Sequence, residues 1–278
     1  MKISVIIPTY KPKEYLGECL DSLVKQTFSK KDFEVILVLN GCTEPWKSEI
    51  ENYIATEMQG MNVNFIHTEQ GGVSNARNVA LDNSKGEYVT FIDDDDFVSP
   101  RFLEELYSKS DPSTISLCYP YAFNDGEKEI QLPYTITDAY NHCVGKNITA
   151  ITSKVRIFFS GPWMKLIPIS FIQDRRYDVR FKNGEDSLFM FLISDKFTNF
   201  TFTSREAIYY RRYREGSAVT GNRESSEILK TGLLQTKVYL SYYLKKPYSY
   251  NLIFFISRLM ACIHSIIFNL RNAYAKNS

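Results

Sequence analysis

Four short apolar runs, ISVIIPT, FEVILVLN, VNFIH and EYVTFI, fall within the first hundred residues, and the segments between them carry apolar residues every three or four positions. Runs of that length and β-branched content read as strands; the intervening spacing reads as amphipathic helix. The first helix is marked by Tyr15, Leu16, Cys19, Leu20, Leu23 and Val24, the second by Trp46, Ile50, Tyr53, Ile54 and Met58, and the third by Val73, Ala76, Val79 and Ala80 behind Gly71 and Gly72. Few folds accept this order. Strands that are apolar on both faces and joined by helices build a largely parallel sheet covered on both sides, so the fold class is α/β.

In such sheets, ligands bind at the carboxyl ends of the strands. Pro8 and Thr9, Asn40 and Gly41, and the acidic run Asp93 to Asp96 all fall at those ends, so three segments far apart in sequence should converge on one crevice. Four adjacent carboxylates repel one another, and the repulsion needs a positive partner. Hard oxygen ligands on a short turn suit Mg²⁺ or Mn²⁺ carrying a substrate phosphate. The competing reading is that these acids only favour the N-terminus of the next helix, near SPRFLEEL. A calcium loop is disfavoured by the missing glycine and closing Glu of the EF-hand pattern.

Beyond about residue 112 the pattern loosens. We read a strand near TISLCYPYAF, a helix near NITAITSKVRIFF, a loop over GPWMKLIPIS, a helix opening at GEDSLFMFLIS, a strand around NFTFTSREAIYYRRY, and helices to the end.

Composition narrows the function. With 33 Lys+Arg against 32 Asp+Glu, the net charge of +1 gives no global field for nucleic acid. The five cysteines are scattered, without a C-x-x-C pair, and read as reduced thiols. MKISVIIPTY enters a strand-like run too short for a signal-peptide core, which predicts a cytoplasmic catalytic part. His67, His142 and His264 lack metal-like spacing, and the P-loop and dinucleotide-binding glycine patterns are missing.

SVIIPTY, FEVILVLNGCTE, GGVSNARNVAL, GEYVTFIDDDD and NGEDSLFMFL, in that order, resemble the inverting glycosyltransferases of family 2, which have the GT-A fold. The resemblance covers roughly residues 1 to 215. It implies a domain over 1–222, with a nucleotide-binding half (1–110) and an acceptor-binding half (111–222), followed by C-terminal helices (223–278). It further implies a nucleotide-sugar donor, a UDP-sugar first, and a glycan or lipid-linked glycan acceptor in surface polysaccharide assembly. Asp95 with Asp93 would hold the metal, Asp93 and Asp94 would face the ribose, Asp96 would hold the turn, and Pro8, Thr9 and Tyr10 would line the nucleotide pocket. Where the family commonly has two aspartates, this chain has Leu39 and Asn40. Asn40 offers a donor and an acceptor to a uracil edge. Arg77 would reach the base or diphosphate; otherwise it faces solvent on the third helix.

The resemblance makes Asp186 the general base and Glu185 its supporting carboxylate, whereas bare spacing also allows both to cap a helix. Trp163 and Lys165 in GPWMKL match a segment near the acceptor, with Trp163 as a core residue the alternative. Arg211, Arg212 and Arg214 would cover the diphosphate, or form a solvated surface. Two other classes stay open: a sugar-nucleotide-forming nucleotidyltransferase and a non-catalytic nucleotide- or glycan-binding protein.

LIFFISRLMACIHSIIFNL, Leu252 to Leu270, is the most hydrophobic stretch, and Arg258 near its middle disfavours spanning a bilayer. Ser257, Arg258, Ala261, His264, Ser265 and Asn269 recur as a polar or small stripe beside a broad apolar face. A helix over 248–272 lying at the inner face of the cytoplasmic membrane is expected, with Lys245, Lys246, Arg271 and Lys276 meeting anionic lipid. Packing on the catalytic domain or in a homodimer is the alternative.

Overall fold

The computed structural model describes residues 1–152, 154–197, 199–214 and 225–277. The expected strands and helices of the first hundred residues are β1 (Ile3–Thr9), α1 (Tyr15–Val24), β2 (Phe33–Asn40), α2 (Trp46–Glu57), β3 (Asn62–Thr68), α3 (Val73–Asp82) and β4 (Tyr88–Phe91). Every residue of β1 and β2 is buried, as the unbroken apolar runs require. Glu34 is the exception in kind: its carboxylate, buried in β2, accepts from Ser4 Oγ (2.7 Å) and from the Lys85 amide (2.7 Å).

A short β5 (Phe97–Val98) and α4 (Phe102–Ser108) follow the acidic run; then come β6 (Thr114–Leu117), β7 (Tyr119–Asn124), α5 (Thr135–Gly145), a 3₁₀ turn over Val155–Ser160, β8 (Lys165–Pro168) and α6 (Ile169–Ile172). The last described elements are α7 (Glu185–Leu192), a 3₁₀ turn (Ser194–Lys196), β9 (Asn199–Phe202), β10 (Ile208–Tyr213), α8 (Ser225–Lys245) and α9 (Leu252–Asn277). The seven-stranded sheet runs β3-β2-β1-β4-β8-β6-β9, and β8 is antiparallel to both β4 and β6. A second sheet runs β5-β10-β7. The chain lays β2 and β3 to one side of β1 and β4 to the other. That reversal opens a crevice at the carboxyl ends of β1 and β4.

Several expectations for the second half need correction. The helix expected over 147–159 is only the 3₁₀ turn, and the helix lies earlier, in α5. Ile136, Ala139, Tyr140 and Cys143 form the buried stripe of α5, whereas 148–152 is rich in β-branched residues that resist helix. GPWMKLIPIS holds strand β8. TISLCYPYAF is split into β6 and β7, and NFTFTSREAIYYRRY into β9 and β10.

The C-terminal helices pack on α7. Tyr250 stacks on Phe191 (4.9 Å between ring centroids), Tyr239 meets the same ring edge-on, and the Tyr239 hydroxyl lies 3.0 Å from Ser187 Oγ. Arg258, placed on the polar stripe by sequence, is instead buried beside the Phe254 ring, with Phe255 and Cys262 on the same inner face. One face of α9 therefore serves the core. The side chains of Asn269 and Lys276, and the expected domain boundary at 222, lie outside the described residues.

Candidate active site

The end of β4 and the start of α7 meet at one arginine. Arg77 projects from the first half of α3, and its side chain is only 3% exposed. Its guanidinium bonds Asp186 Oδ1 (2.6 Å) and Asp93 Oδ1 (3.0 Å), with Glu185 Oε1 at 3.8 Å. Two acidic motifs separated by some ninety residues of sequence are thus clasped by a single cation. Arg77 does not face solvent. Burial alone would depress its pKa, but Asp186 and its companion acids more than offset this, so the guanidinium stays charged. The adjacent Asn78 fixes the geometry, donating to the Tyr177 carbonyl (2.9 Å) and accepting from the Tyr177 amide (2.7 Å). Tyr177 in turn stacks on Phe189 of α7 (3.9 Å).

At α7, Gly184 adopts φ +76, a left-handed conformation that glycine takes without strain. The turn sets Glu185 and Asp186 in the first turn of the helix, where negative charge is favoured. The spacing allowed a capping role alone, but both acids also face Arg77. Burial raises the Asp186 carboxyl to about 7; Arg77 opposes the rise while Glu185 and Asp93 add to it. Its side chain keeps 19% exposure, enough to meet a substrate.

The acidic run is neutralised piecemeal. Asp94 accepts from Thr9 Oγ1 (2.5 Å), Asp95 pairs with Arg214 Nε (2.7 Å), and Asp96 accepts from the Arg212 amide (2.8 Å). Tyr209, from β10, accepts from the Asp93 amide (3.2 Å). The charge remains undercompensated: burial raises Asp94 to about 7 and Asp95 and Asp96 in the same direction, with neighbouring aspartates adding to each. No group of three His, Cys, Asp or Glu is poised for a metal among the described residues. Mg²⁺ and Mn²⁺ commonly take one or two carboxylates and complete their shell with water and phosphate oxygens, so four consecutive carboxylates sharing few cations fit such an ion.

Other expected site residues take different roles. Asn40 is buried, its amide donating to the Thr9 carbonyl (2.7 Å) and its carbonyl accepting from the Gly72 amide (2.8 Å). The side chain expected to read a uracil edge instead stitches β1 to the start of α3. Pro8 and Thr9 are buried in β1, while Tyr10 is 54% exposed at the mouth, beside Gly41. A cavity of about 450 Å³, lined by Gly71, Gly72, Ser74, Phe181 and Lys182, separates the start of α3 from the segment leading into α7.

Lys165, expected near the acceptor, is fully buried and donates to the carbonyls of Gly161 (2.7 Å) and Trp163 (2.6 Å). Burial lowers it to about 7. It braces the turn carrying Trp163, whose ring is half-buried beneath the Arg211 guanidinium (4.8 Å). Arg212 pairs with Asp125 (2.6 Å) and Glu18 and donates to the Asp95 carbonyl (2.9 Å), so it holds the acidic turn from behind. Just past β10, the Arg214 guanidinium bonds the Asp95 carboxylate; the rest of that expected segment, 215–220, lies outside the described residues.

The chain matches the family model described as glycosyl transferase family 2 over residues 4–173. The chain belongs to glycosyl transferase family 2. Among its relatives, glycosyltransferase GlyA of Streptococcus pneumoniae serotype 4 is 31% identical over 229 residues, covering 78% of this chain and 31% of the relative. The poly(ribitol-phosphate) beta-N-acetylglucosaminyltransferase TarS of Staphylococcus aureus is 30% identical over 233 residues, covering 82% of this chain and 38% of the relative. The chain thus spans about a third of the length of these curated relatives. The crystal structure of S. aureus TarS 1-349 in complex with UDP-GlcNAc superposes with a TM-score of 0.69 at 25% identity, covering 86% of this chain and 67% of that one. The mannosyltransferase PcManGT of Pyrobaculum calidifontis, in complex with GDP-Man and Mn²⁺, superposes at 0.62 and 14% identity over 100% of this chain and 76% of that one, a likeness of fold. This family 2 member therefore has the GT-A-like α/β architecture, with α8 and α9 added.

Proposed function

We propose that the chain is an inverting glycosyltransferase that passes a sugar from a UDP-sugar to a hydroxyl of a glycan or lipid-linked glycan in surface polysaccharide assembly. The observation that carries this reading is the Arg77 clasp, which brings an undercompensated acidic run against a separate carboxylate of about neutral pKa. A carboxylate whose pKa lies near the working pH suits general base catalysis. Membership of family 2 supports the transfer chemistry, and the TarS complex with UDP-GlcNAc supports the donor class.

Asp186 takes the proton of the acceptor hydroxyl as that oxygen attacks the anomeric carbon. A new carbon–oxygen bond forms as the bond to the diphosphate breaks, and its electron pair leaves with the phosphate oxygen. Attack opposite the departing group inverts the centre, so an α-linked donor yields a β-linked product. Arg77 favours the ionised form of Asp186 and fixes its direction, while Glu185 adds to the local negative charge that Arg77 offsets. A divalent cation held by Asp95 and Asp93 would supply positive charge for the developing diphosphate. Asn40 is committed internally, which leaves base recognition to the backbone and to other side chains at the strand ends.

The test is to incubate the full chain with UDP-GlcNAc and other UDP-sugars, with Mn²⁺ and without, and to follow UDP release and product anomer by NMR. Sugar consumption with a β-linked product, or slow Mn²⁺-dependent hydrolysis without acceptor, is expected. A retained α configuration, or donor binding with no turnover in the presence of acceptor glycans, counts against the reading.

A further inference from the structure

We propose that the outer face of α9, flanked by the basic residues of α8, is a docking surface for an anionic lipid bilayer. Ile253, Ile256, Met260, Ile263 and Ile267 recur at spacings of three and four along α9, and each is 46–60% exposed. They lie opposite the inner stripe of Phe254, Phe255, Arg258 and Cys262, which is spent on the core. A helix with apolar residues on both sides leaves one side unpartnered, and a contiguous exposed patch of this kind marks an interaction site. Leu229, Leu233, Leu240 and Leu244 add an exposed stripe on α8.

Charge selects the partner. From Ile228 to the C-terminus the sequence contains no Asp or Glu, while the whole chain is nearly balanced at 33 basic against 32 acidic residues. Lys230, Lys237, Lys245, Lys246 and Arg271 in this region are exposed. The catalytic part is therefore acidic on balance and the helical hairpin basic, with Glu227 in the first turn of α8 as its one acidic residue. A second copy would oppose mostly like charge to like charge across the seam, with Glu227 alone to complement the lysines and arginines. An anionic surface meets both features at once, taking the apolar stripe into its acyl boundary and the lysines at its headgroups. No helix among the described residues is long and apolar enough to cross a membrane, so the contact is peripheral.

The position matters for the enzyme. The same two helices brace the segment bearing Asp186: Gln235 Nε2 donates to the Asn183 carbonyl (2.5 Å), and the Tyr250 hydroxyl donates to the Leu192 carbonyl (3.1 Å). A seat on lipid would thus fix the cleft relative to the bilayer. The inference does not rest on the proposed chemistry, since its test reads binding alone.

The full chain is floated with vesicles of equal parts phosphatidylglycerol and phosphatidylcholine, and with phosphatidylcholine alone. It should rise with the anionic vesicles, remain behind with the neutral ones, and be released by high salt. Ile256→Glu/Ile263→Glu should lower the bound fraction roughly tenfold with an unchanged thermal melt, and Lys245→Gln/Arg271→Gln should weaken binding without touching the apolar stripe. Absence of flotation with anionic vesicles overturns the proposal, as does equal flotation of the glutamate variant. A concentration-dependent dimer in light scattering that the glutamate variant abolishes, with no lipid binding, would assign the face to a second copy and likewise overturn it.

Discussion

The two acidic motifs of the cleft are neutralised in opposite ways. Glu185 and Asp186 have a resident cation: Arg77 is buried against them and held by the α3 packing that also anchors Asn78 to Tyr177. Asp93 to Asp96 have partial and dispersed partners: a hydroxyl, a backbone amide, a shared arginine and Arg214 at the edge of the described chain. Burial raises three of these four carboxyls and Asp186 alike, so the contrast lies in the partners. The difference separates two tasks. A carboxylate that must stay in place and accept a proton is tethered by the protein itself, whereas a site that admits a multiply charged donor leaves charge for an incoming ion to balance.

The sharpest way to break this comparison is Asp186→Asn. Loss of a general base typically costs ~10²–10⁴ in rate. Turnover should fall by that range while donor affinity is kept within a few fold, read by steady-state kinetics beside calorimetric titration of UDP-sugar. Equal losses in both would assign Asp186 to binding.

A smaller effect is expected with pH. Asp186 is competent only when deprotonated, so kcat should drop about tenfold per unit as pH falls below about 7. Arg77 favours the charged form, and Arg77→Lys, which replaces a planar fork with a point charge, should move this limb to higher pH. A limb that stays in place would detach Arg77 from the base.

The least of the changes concerns Asn40. Asn40→Asp restores the acid commonly found in the family but points a carboxylate at the Thr9 carbonyl, where an amide now donates. The expected cost is about 1–3 kcal/mol in denaturant unfolding. Tighter UDP binding without loss of stability would return this position to base recognition.

The contrast also explains what could be read beforehand. The first hundred residues were legible because each buried strand is a continuous apolar run and each helix a plain stripe; the acidic run followed from its position at a strand end. β8 was not legible: its antiparallel pairing with β4 and β6 is a long-range fact, and the seat of the Lys165 amine on two backbone carbonyls has no signature in the sequence. α5 carried a usable signal in Ile136, Ala139, Tyr140 and Cys143 that was passed over for the more apolar stretch after it. Arg77 was placed on the correct helix, but its pairing with Asp93 and Asp186 was not legible, since no spacing rule brings both to one guanidinium. Asn78 and Tyr177 were missed as site-building residues; the Arg-Asn dipeptide on α3 was the available clue.

Calorimetric titration of UDP-GlcNAc into the full chain, with Mn²⁺ or with EDTA, in the native protein and in Asp95→Asn and Asp186→Asn, tests most directly whether the acidic run is a cation-dependent donor site distinct from the base. Binding should require Mn²⁺, vanish in Asp95→Asn and survive in Asp186→Asn. Affinity indifferent to EDTA, or lost alike in both variants, would contradict the division of labour between the two motifs.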